Sequence, residues 1–241
     1  MLGWIIPPPK PRVTKSSEEF RAEREAMVRR LEGEGFLRSP RLKEAMLKVP
    51  RELFIPEPYA DYAYEEVPLP LPGDGCNQTI SCPHSYPLFY EALELSPGDR
   101  FLEIGAGSGY GAALAREVVG EQGLVVTVEI NPNTYRFARS NLEKLGYRDV
   151  ITILGDGSLG YPPLAPYNKI CVTATCPTIP PPLIDQLALS GKLIAPVGSP
   201  HSVQALILLS KLPSGEVKKA KVDEVLYVPL KGKYGWRLGS I

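Results

Sequence analysis

Histidine and cysteine are scarce in this 241-residue chain, with two histidines and four cysteines. Cys76 and Cys82 are separated by five residues and Cys171 and Cys176 by four. No paired C-x-x-C ligand set exists, so the sequence offers no metal centre. The cysteines read as small, partly buried residues, with a Cys76–Cys82 disulfide as the open alternative. Excess charge is also missing: Lys plus Arg and Asp plus Glu each total 27. A chain of zero formal net charge has no basic surplus to recruit nucleic acid and no polybasic anchor for a membrane. There is no apolar run of roughly eighteen residues, the length that would span a bilayer. The run Leu2 to Ile6 is too short for a signal sequence and ends in Pro7-Pro8-Pro9, so the chain reads as cytoplasmic. Its oligomeric state stays open.

Glycine and proline are plentiful, and they punctuate the chain. Residues 1–15 read as a flexible lead. Ser16-x-x-Glu19 is a capping box opening a helix whose Phe20, Met27, Val28 and Leu31 share one face up to Gly33. A second helix is predicted over 39–49, stopped by Pro50. With the Pro- and Tyr-rich stretch 51–75, an ordered wrap, these helices make an N-terminal appendage of residues 1–75. Residues 76–241 form the main domain. Pro83 suggests a helix start, running to about Leu95, which puts Ser81 near free N–H groups that favour an anion.

From residue 98 a regular alternation begins. Strands are predicted at 99–104, 124–129, 150–154, 169–174 and 192–197. Helices are predicted at 110–119 and 133–145, with another from about Pro181 to Gly191. Segments 203–210, 216–222 and 224–229 have no helix between them and should close the sheet antiparallel. The pattern is α/β: a doubly wound, mostly parallel sheet.

The stretch Phe101 to Tyr110 carries the chemistry. A short apolar strand runs into Gly105-x-Gly107-x-Gly109, a turn that lets a ligand approach the backbone. Dinucleotide enzymes use G-x-G-x-x-G for a pyrophosphate. Here the third glycine comes one residue early, and Glu103 precedes the turn, where its charge would repel phosphate and suit a cationic ligand. Glu129 ends the second strand, in position to hold ribose hydroxyls. Gly155-Asp156-Gly157 follows the third strand, where the acid could accept from an adenine amine. Together these resemble the S-adenosylmethionine site of class I methyltransferases, whose ligand carries a sulfonium and an ammonium and no phosphate.

More residues narrow the resemblance. They are Thr79-Ile80-Ser81-x-Pro83-His84, Leu102 to Tyr110, Gly155-Asp156-Gly157 with Gly160-Tyr161-Pro162-Pro163, Pro196-Val197-Gly198, and Val228-Pro229-Leu230 with Tyr234-Gly235-Trp236. Over about Arg51 to Trp236 the chain resembles the protein-L-isoaspartate (D-aspartate) O-methyltransferase family. It departs from the family pattern at Asn168, Thr175, Cys176, Asn77 and Cys82. The resemblance implies a Rossmann-like methyltransferase fold and S-adenosyl-L-methionine as cofactor. It implies methyl transfer to the α-carboxylate of isoaspartyl residues in damaged proteins and peptides. It also implies cofactor contacts from Glu103, Gly105, Gly107, Gly109, Glu129, Asp156 and Gly157. Ser81 becomes the catalytic residue that orients the acceptor carboxylate, and Thr79, Ile80 and His84 belong to the substrate side. The alternative is a methyltransferase acting on another small molecule or on RNA. No general base is needed for a carboxylate acceptor, which is already ionised at neutral pH.

Overall fold

The computed structural model describes residues 7–73 and 78–236. Helix α1 (Ser17–Gly33) starts where the Ser16 hydroxyl accepts the Glu19 N–H and the Glu19 carboxylate accepts the Ser16 N–H, closing the expected capping box. Helix α2 (Pro40–Lys48) has Ser39 as its cap and Pro40 in its first turn, where no N–H is required. Both apolar stripes enter one core with Phe101, Leu114 and Val118, so the appendage covers a face of the main sheet. Arg24 of α1 donates to Tyr64 and to Glu52, tying the helix to the segment that follows α2.

The lead is not loose over its described part. Asp61 is buried and accepts the Thr14 and Lys15 N–H groups, and its carboxylate pairs with Lys10 Nζ at 2.9 Å. A buried carboxylate needs partners, and Asp61 draws them from residues 10–15. The stretch without periodicity holds two 3-10 turns, Arg51–Phe54 and Glu57–Tyr62. Strand β1 (Leu69–Pro70) then pairs antiparallel with β2 (Thr79–Ile80). Helix α3 (Ser85–Leu93) begins after the Cys82-Pro83-His84 turn, two residues later than Pro83 suggested, with Pro87 in its first turn. Ser81 therefore directly follows β2 and stands four residues before the helix, whose N-cap is His84.

The central sheet is built from β3 (Arg100–Ile104), β4 (Leu124–Glu129), β5 (Ile151–Leu154), β6 (Tyr167–Val172), β7 (Leu187–Val197), β8 (Gln204–Lys211) and β9 (Val217–Val225). Their order is β5-β4-β3-β6-β7-β8-β9, with β3 to β7 parallel and β8 and β9 antiparallel. Helices α4 (Tyr110–Val119), α5 (Pro132–Lys144) and α6 (Pro181–Asp185) supply the crossovers. Side chains alternate across β3. Phe101 joins the core under α1 to α4, whereas Leu102 and Ile104 join the opposite core with Leu183 of α6.

Two predicted boundaries move. Helix α6 is a single turn, and β7 starts at Leu187, not 192. Leu187 is buried and pairs with Tyr167, after which the chain bulges. The bulge needs Gly191: a Cβ there would lie 2.8 Å from the Ala188 carbonyl and 3.0 Å from the Asn168 carbonyl. The segment predicted at 216–222 runs on to Val225 as β9, whose ladder with β8 absorbs a register shift at Leu206 and Ile207. The strand predicted at 224–229 does not form beyond Val225, where an isolated bridge joins Pro229 to Thr175. Lys218, Lys219 and Lys221 line that exposed edge strand, where charge discourages pairing with another chain. No helix among the described residues is long and apolar enough to cross a membrane. Cys82, Cys171 and Cys176 are buried free thiols, and Cys76, the other half of the alternative Cys76–Cys82 disulfide, lies outside the described residues.

Candidate active site

The order of the sheet reverses at β3, whose successor β4 lies on one side and β6 on the other. In open α/β sheets ligands bind at the carboxyl ends of the strands flanking such a reversal. A cleft opens there, lined on one wall by Glu103, Gly105, Gly107 and Ser108 and on the other by Thr79, Ile80, Ser81, Ser85 and Tyr227.

The first wall is the glycine turn. Gly105 has φ +97°, and a Cβ there would lie 2.4 Å from the Thr173 hydroxyl. Glu103 is buried, and its Oε2 accepts the Thr127 hydroxyl at 2.7 Å. Burial pushes its carboxyl up to about 8, against the Thr127 hydrogen bond and with help from nearby Glu129. The standing negative charge expected at this position is thus corrected: the group is mostly protonated at neutral pH, and an arriving cation would ionise it. Glu129 ends β4 with Oε1 on the Asn131 N–H at 2.9 Å and Oε2 on the Gly107 N–H at 3.2 Å. Burial raises its carboxyl too, and those N–H groups oppose the shift.

A strap crosses this wall. Leu71, just beyond β1, stands 3.5 Å from where a Cβ of Gly107 would be. Thr134, in the first turn of α5, donates to the Pro72 carbonyl at 2.7 Å. The appendage therefore reaches the glycine turn.

The second wall is hydroxyl-rich. The Tyr227 phenol faces the hydroxyls of Ser81 and Ser85 and is pushed up chiefly by burial. Its ring lies 5.3 Å from that of Phe89, and its N–H donates to Gln204 Oε1 at 2.7 Å. Three hydroxyls thus converge in the cleft that Glu103 also lines.

Not every residue singled out from the sequence reaches this cleft. Gly109, Glu129, Asp156, Gly157 and His84 stand outside its lining. Asp156 Oδ1 accepts the Ser158 N–H and hydroxyl at 2.9 and 2.6 Å, and Oδ2 accepts the Lys233 N–H at 2.8 Å. It pins the C-terminal segment to the loop after β5. Gly157 gives Ile104 room, since its Cβ would lie 2.5 Å from Ile104 Cγ2. The His84 ring turns to Glu66, with Nδ1 2.6 Å from Oε2. Burial pushes the neighbouring Cys82 thiol up to about 11.

Known proteins are similar to this chain in sequence and fold. A family model described as Protein-L-isoaspartate(D-aspartate) O-methyltransferase (PCMT) matches residues 22–235. The chain belongs to the protein-L-isoaspartate(D-aspartate) O-methyltransferase family. It is 47% identical to the protein-L-isoaspartate O-methyltransferase of Hyperthermus butylicus, an alignment covering 93% of this chain and 95% of the relative. Identity to the enzyme of the same name from Methanopyrus kandleri is 46%, over 93% and 98% of the two chains. A solved protein-L-isoaspartate O-methyltransferase superposes with a TM-score of 0.81 at 35% identity, covering 88% of this chain and 67% of that one.

Two of the departures from the isoaspartyl methyltransferase pattern, Asn168 and Thr175, have structural uses. Asn168 Oδ1 accepts the Arg100 N–H at the start of β3. The Thr175 hydroxyl donates to the Gly198 carbonyl, and the Thr175 carbonyl accepts the indole N–H of Trp236 at 3.0 Å. Trp236 is thereby an anchor with a polar tether.

Gly111, Ser85 and Tyr227 are among the cleft residues that escaped the sequence reading. Gly111 is the fourth glycine at alternate positions after Gly105, Gly107 and Gly109, and that spacing was its signal. Ser85 lay inside a predicted helix turn and Tyr227 inside a predicted strand, and nothing local marks either as a cleft residue.

Proposed function

We propose that this chain transfers a methyl group from S-adenosylmethionine to the α-carboxylate of isoaspartyl residues in proteins and peptides, as a repair enzyme acting in the cytoplasm. One observation carries the reading: a glycine turn with a buried carboxyl and three converging hydroxyls line a single cleft. In this reading residues 76–241 are the catalytic domain, and 1–75 are an appendage whose Leu71 reaches the cofactor wall.

The residues present fit the cofactor. Gly105 and Gly107 carry no side chains to block the turn, and Glu103 waits beside them as an acid that a cation would ionise. Glu129 would hold ribose hydroxyls from the end of β4, and Asp156 retains acceptor capacity on a carboxylate already shared with Ser158 and Lys233. When bound, the cofactor supplies an electrophilic methyl group on a sulfonium.

The protein's own work is positional. An acceptor carboxylate with an ordinary pKa near ~4 is ionised at neutral pH and is itself the nucleophile, so no side chain needs to remove a proton. Ser81, Ser85 and Tyr227 would donate hydrogen bonds to that anion, replacing lost water and aiming one oxygen across the cleft. Alignment of reacting groups in this way is worth roughly 7–11 kcal/mol in well-oriented systems. Spent acceptor leaves as a neutral ester, which the hydroxyls hold less strongly.

The test is methyl transfer to paired peptides that differ only in an isoaspartyl or aspartyl linkage. Transfer to the isoaspartyl peptide alone is expected. Equal transfer to both, or transfer to RNA in place of peptide, would overturn the reading.

A further inference from the structure

Arg51 is fully buried, yet among the described residues no carboxylate pairs with its guanidinium. Its Nε donates to the Ala63 carbonyl and one terminal nitrogen to the Ser81 carbonyl, each at 2.6 Å. The other terminal nitrogen, Nη1, is buried without a hydrogen-bond partner. The guanidinium lies over two aromatic rings, 5.2 Å from the Tyr110 centroid and 5.7 Å from that of Tyr86. Tyr86 and Ser81 both line the cleft, so the cation stands immediately behind the acceptor wall. The neighbouring acid, Glu52, is taken by Arg24 and Tyr64.

Burying a cation without an anion is costly, and the cost falls when an anion arrives nearby. Two carbonyls and two rings partly offset it, but they carry no net charge. Arginine side chains are permanent cations in proteins. The field of Arg51 therefore reaches the wall that Ser81 forms, through low-dielectric surroundings where it is weakly screened.

We propose that Arg51 is a positioning residue of the acceptor site: it clamps the Ser81 main chain and supplies the uncompensated positive charge that selects an ionised carboxylate over a neutral group of the same shape. The inference rests on the isoaspartyl reading above. It also accounts for turnover, because the methyl ester is neutral and loses the attraction that drew the acid in.

The experiment compares an isoaspartyl peptide with its α-carboxamide analogue, used as a competitive inhibitor, on wild-type protein, Arg51→Lys and Arg51→Gln. Cofactor titration and thermal melting accompany each preparation. Wild type should bind the acid at least ~10-fold more tightly than the amide, the scale of one charge-assisted interaction. Arg51→Gln should raise KM for the acid by roughly 10- to 100-fold and leave inhibition by the amide within about 2-fold. Arg51→Lys should keep the preference for the anion and lower kcat, because the charge stays while the two-carbonyl clamp is lost. Equal binding of acid and amide by wild type would overturn the proposal even if no variant folds. Equal loss of both in Arg51→Gln would reduce Arg51 to a packing residue. Failure of wild type to methylate the isoaspartyl peptide at all would instead sink the functional reading.

Discussion

A Cβ on Gly111 would lie 2.3 Å from Oε1 of Glu103. The second residue of α4 and the fourth residue of β3 are thus fitted to each other across the glycine turn. Tyr90 closes the same space: its hydroxyl would stand 3.0 Å from that Cβ, and it donates to the Gly111 carbonyl at 2.8 Å. Only a glycine leaves the Glu103 carboxyl its position in the cleft.

Gly111→Ala sets two effects against each other. Alanine improves helix propensity by about 1 kcal/mol, whereas the overlap with Glu103 costs typically 1–3 kcal/mol in a packed site. The expected result is cofactor affinity at least ~10-fold weaker with a melting temperature changed by only a few degrees. Unchanged affinity by calorimetric titration would show that Glu103 moves aside freely.

Glu103 also sets a pH dependence. Its carboxyl titrates at about 8 in the folded protein and at 4.5 when free. The folded state holds a proton that the unfolded chain has released, so this group lowers stability as pH rises from about 4.5 to about 8. Without cofactor, Glu103→Gln should melt above wild type at pH 8 and close to it at pH 4.5, by up to about 4 kcal/mol. Parallel stability curves for the two proteins would refute the raised pKa. Cofactor binding at pH 7 should release protons in wild type, seen as a heat that varies with buffer ionisation enthalpy, and the variant should lack that dependence.

Ser81→Ala should lower kcat/KM for an isoaspartyl peptide by roughly 10- to 1,000-fold with cofactor affinity intact, the range for one well-placed donor. Tyr227→Phe should act in the same direction with a smaller effect, since Ser81 and Ser85 remain. Joint loss of cofactor affinity and activity in Ser81→Ala would assign the residue to the cofactor wall or to the fold.

Glu129 and Asp156 should separate. Glu129→Ala unpairs the Gly107 and Asn131 N–H groups and should weaken cofactor binding by about 1–3 kcal/mol. Asp156→Ala should in addition free the C-terminal segment, raising hydrogen exchange at Lys233 and Ser158. Slow exchange at both amides in that variant would mean the segment is held without the carboxylate.

Much of the fold could be read from periodicity, because burial on two sides of a parallel sheet imposes runs such as Leu124 to Val128, and helix stripes such as Phe20-Met27-Leu31 are written locally. The glycine turn and the acids at strand ends were legible for the same reason: backbone conformation and strand position depend on neighbours in sequence. What depends on distant neighbours was not. The strand start at Leu187 follows from pairing with Tyr167, and the short α6 follows from that strand. Ser81 looked close to the first turn of a helix until β1, ten residues upstream, paired with the residues before it. Residues 10–15 looked loose because their partner, Asp61, is about fifty residues away. The charge state of Glu103 is the sharpest case: its identity is local, but its protonation is set by desolvation, by Thr127 one strand over and by nearby Glu129. Residue identity alone determined the candidate acids and the turn. Only tertiary packing decided which hydroxyls converge, which acid is neutral, and that an unpaired arginine stands behind the acceptor wall, because desolvation and pairing act between elements far apart in the chain.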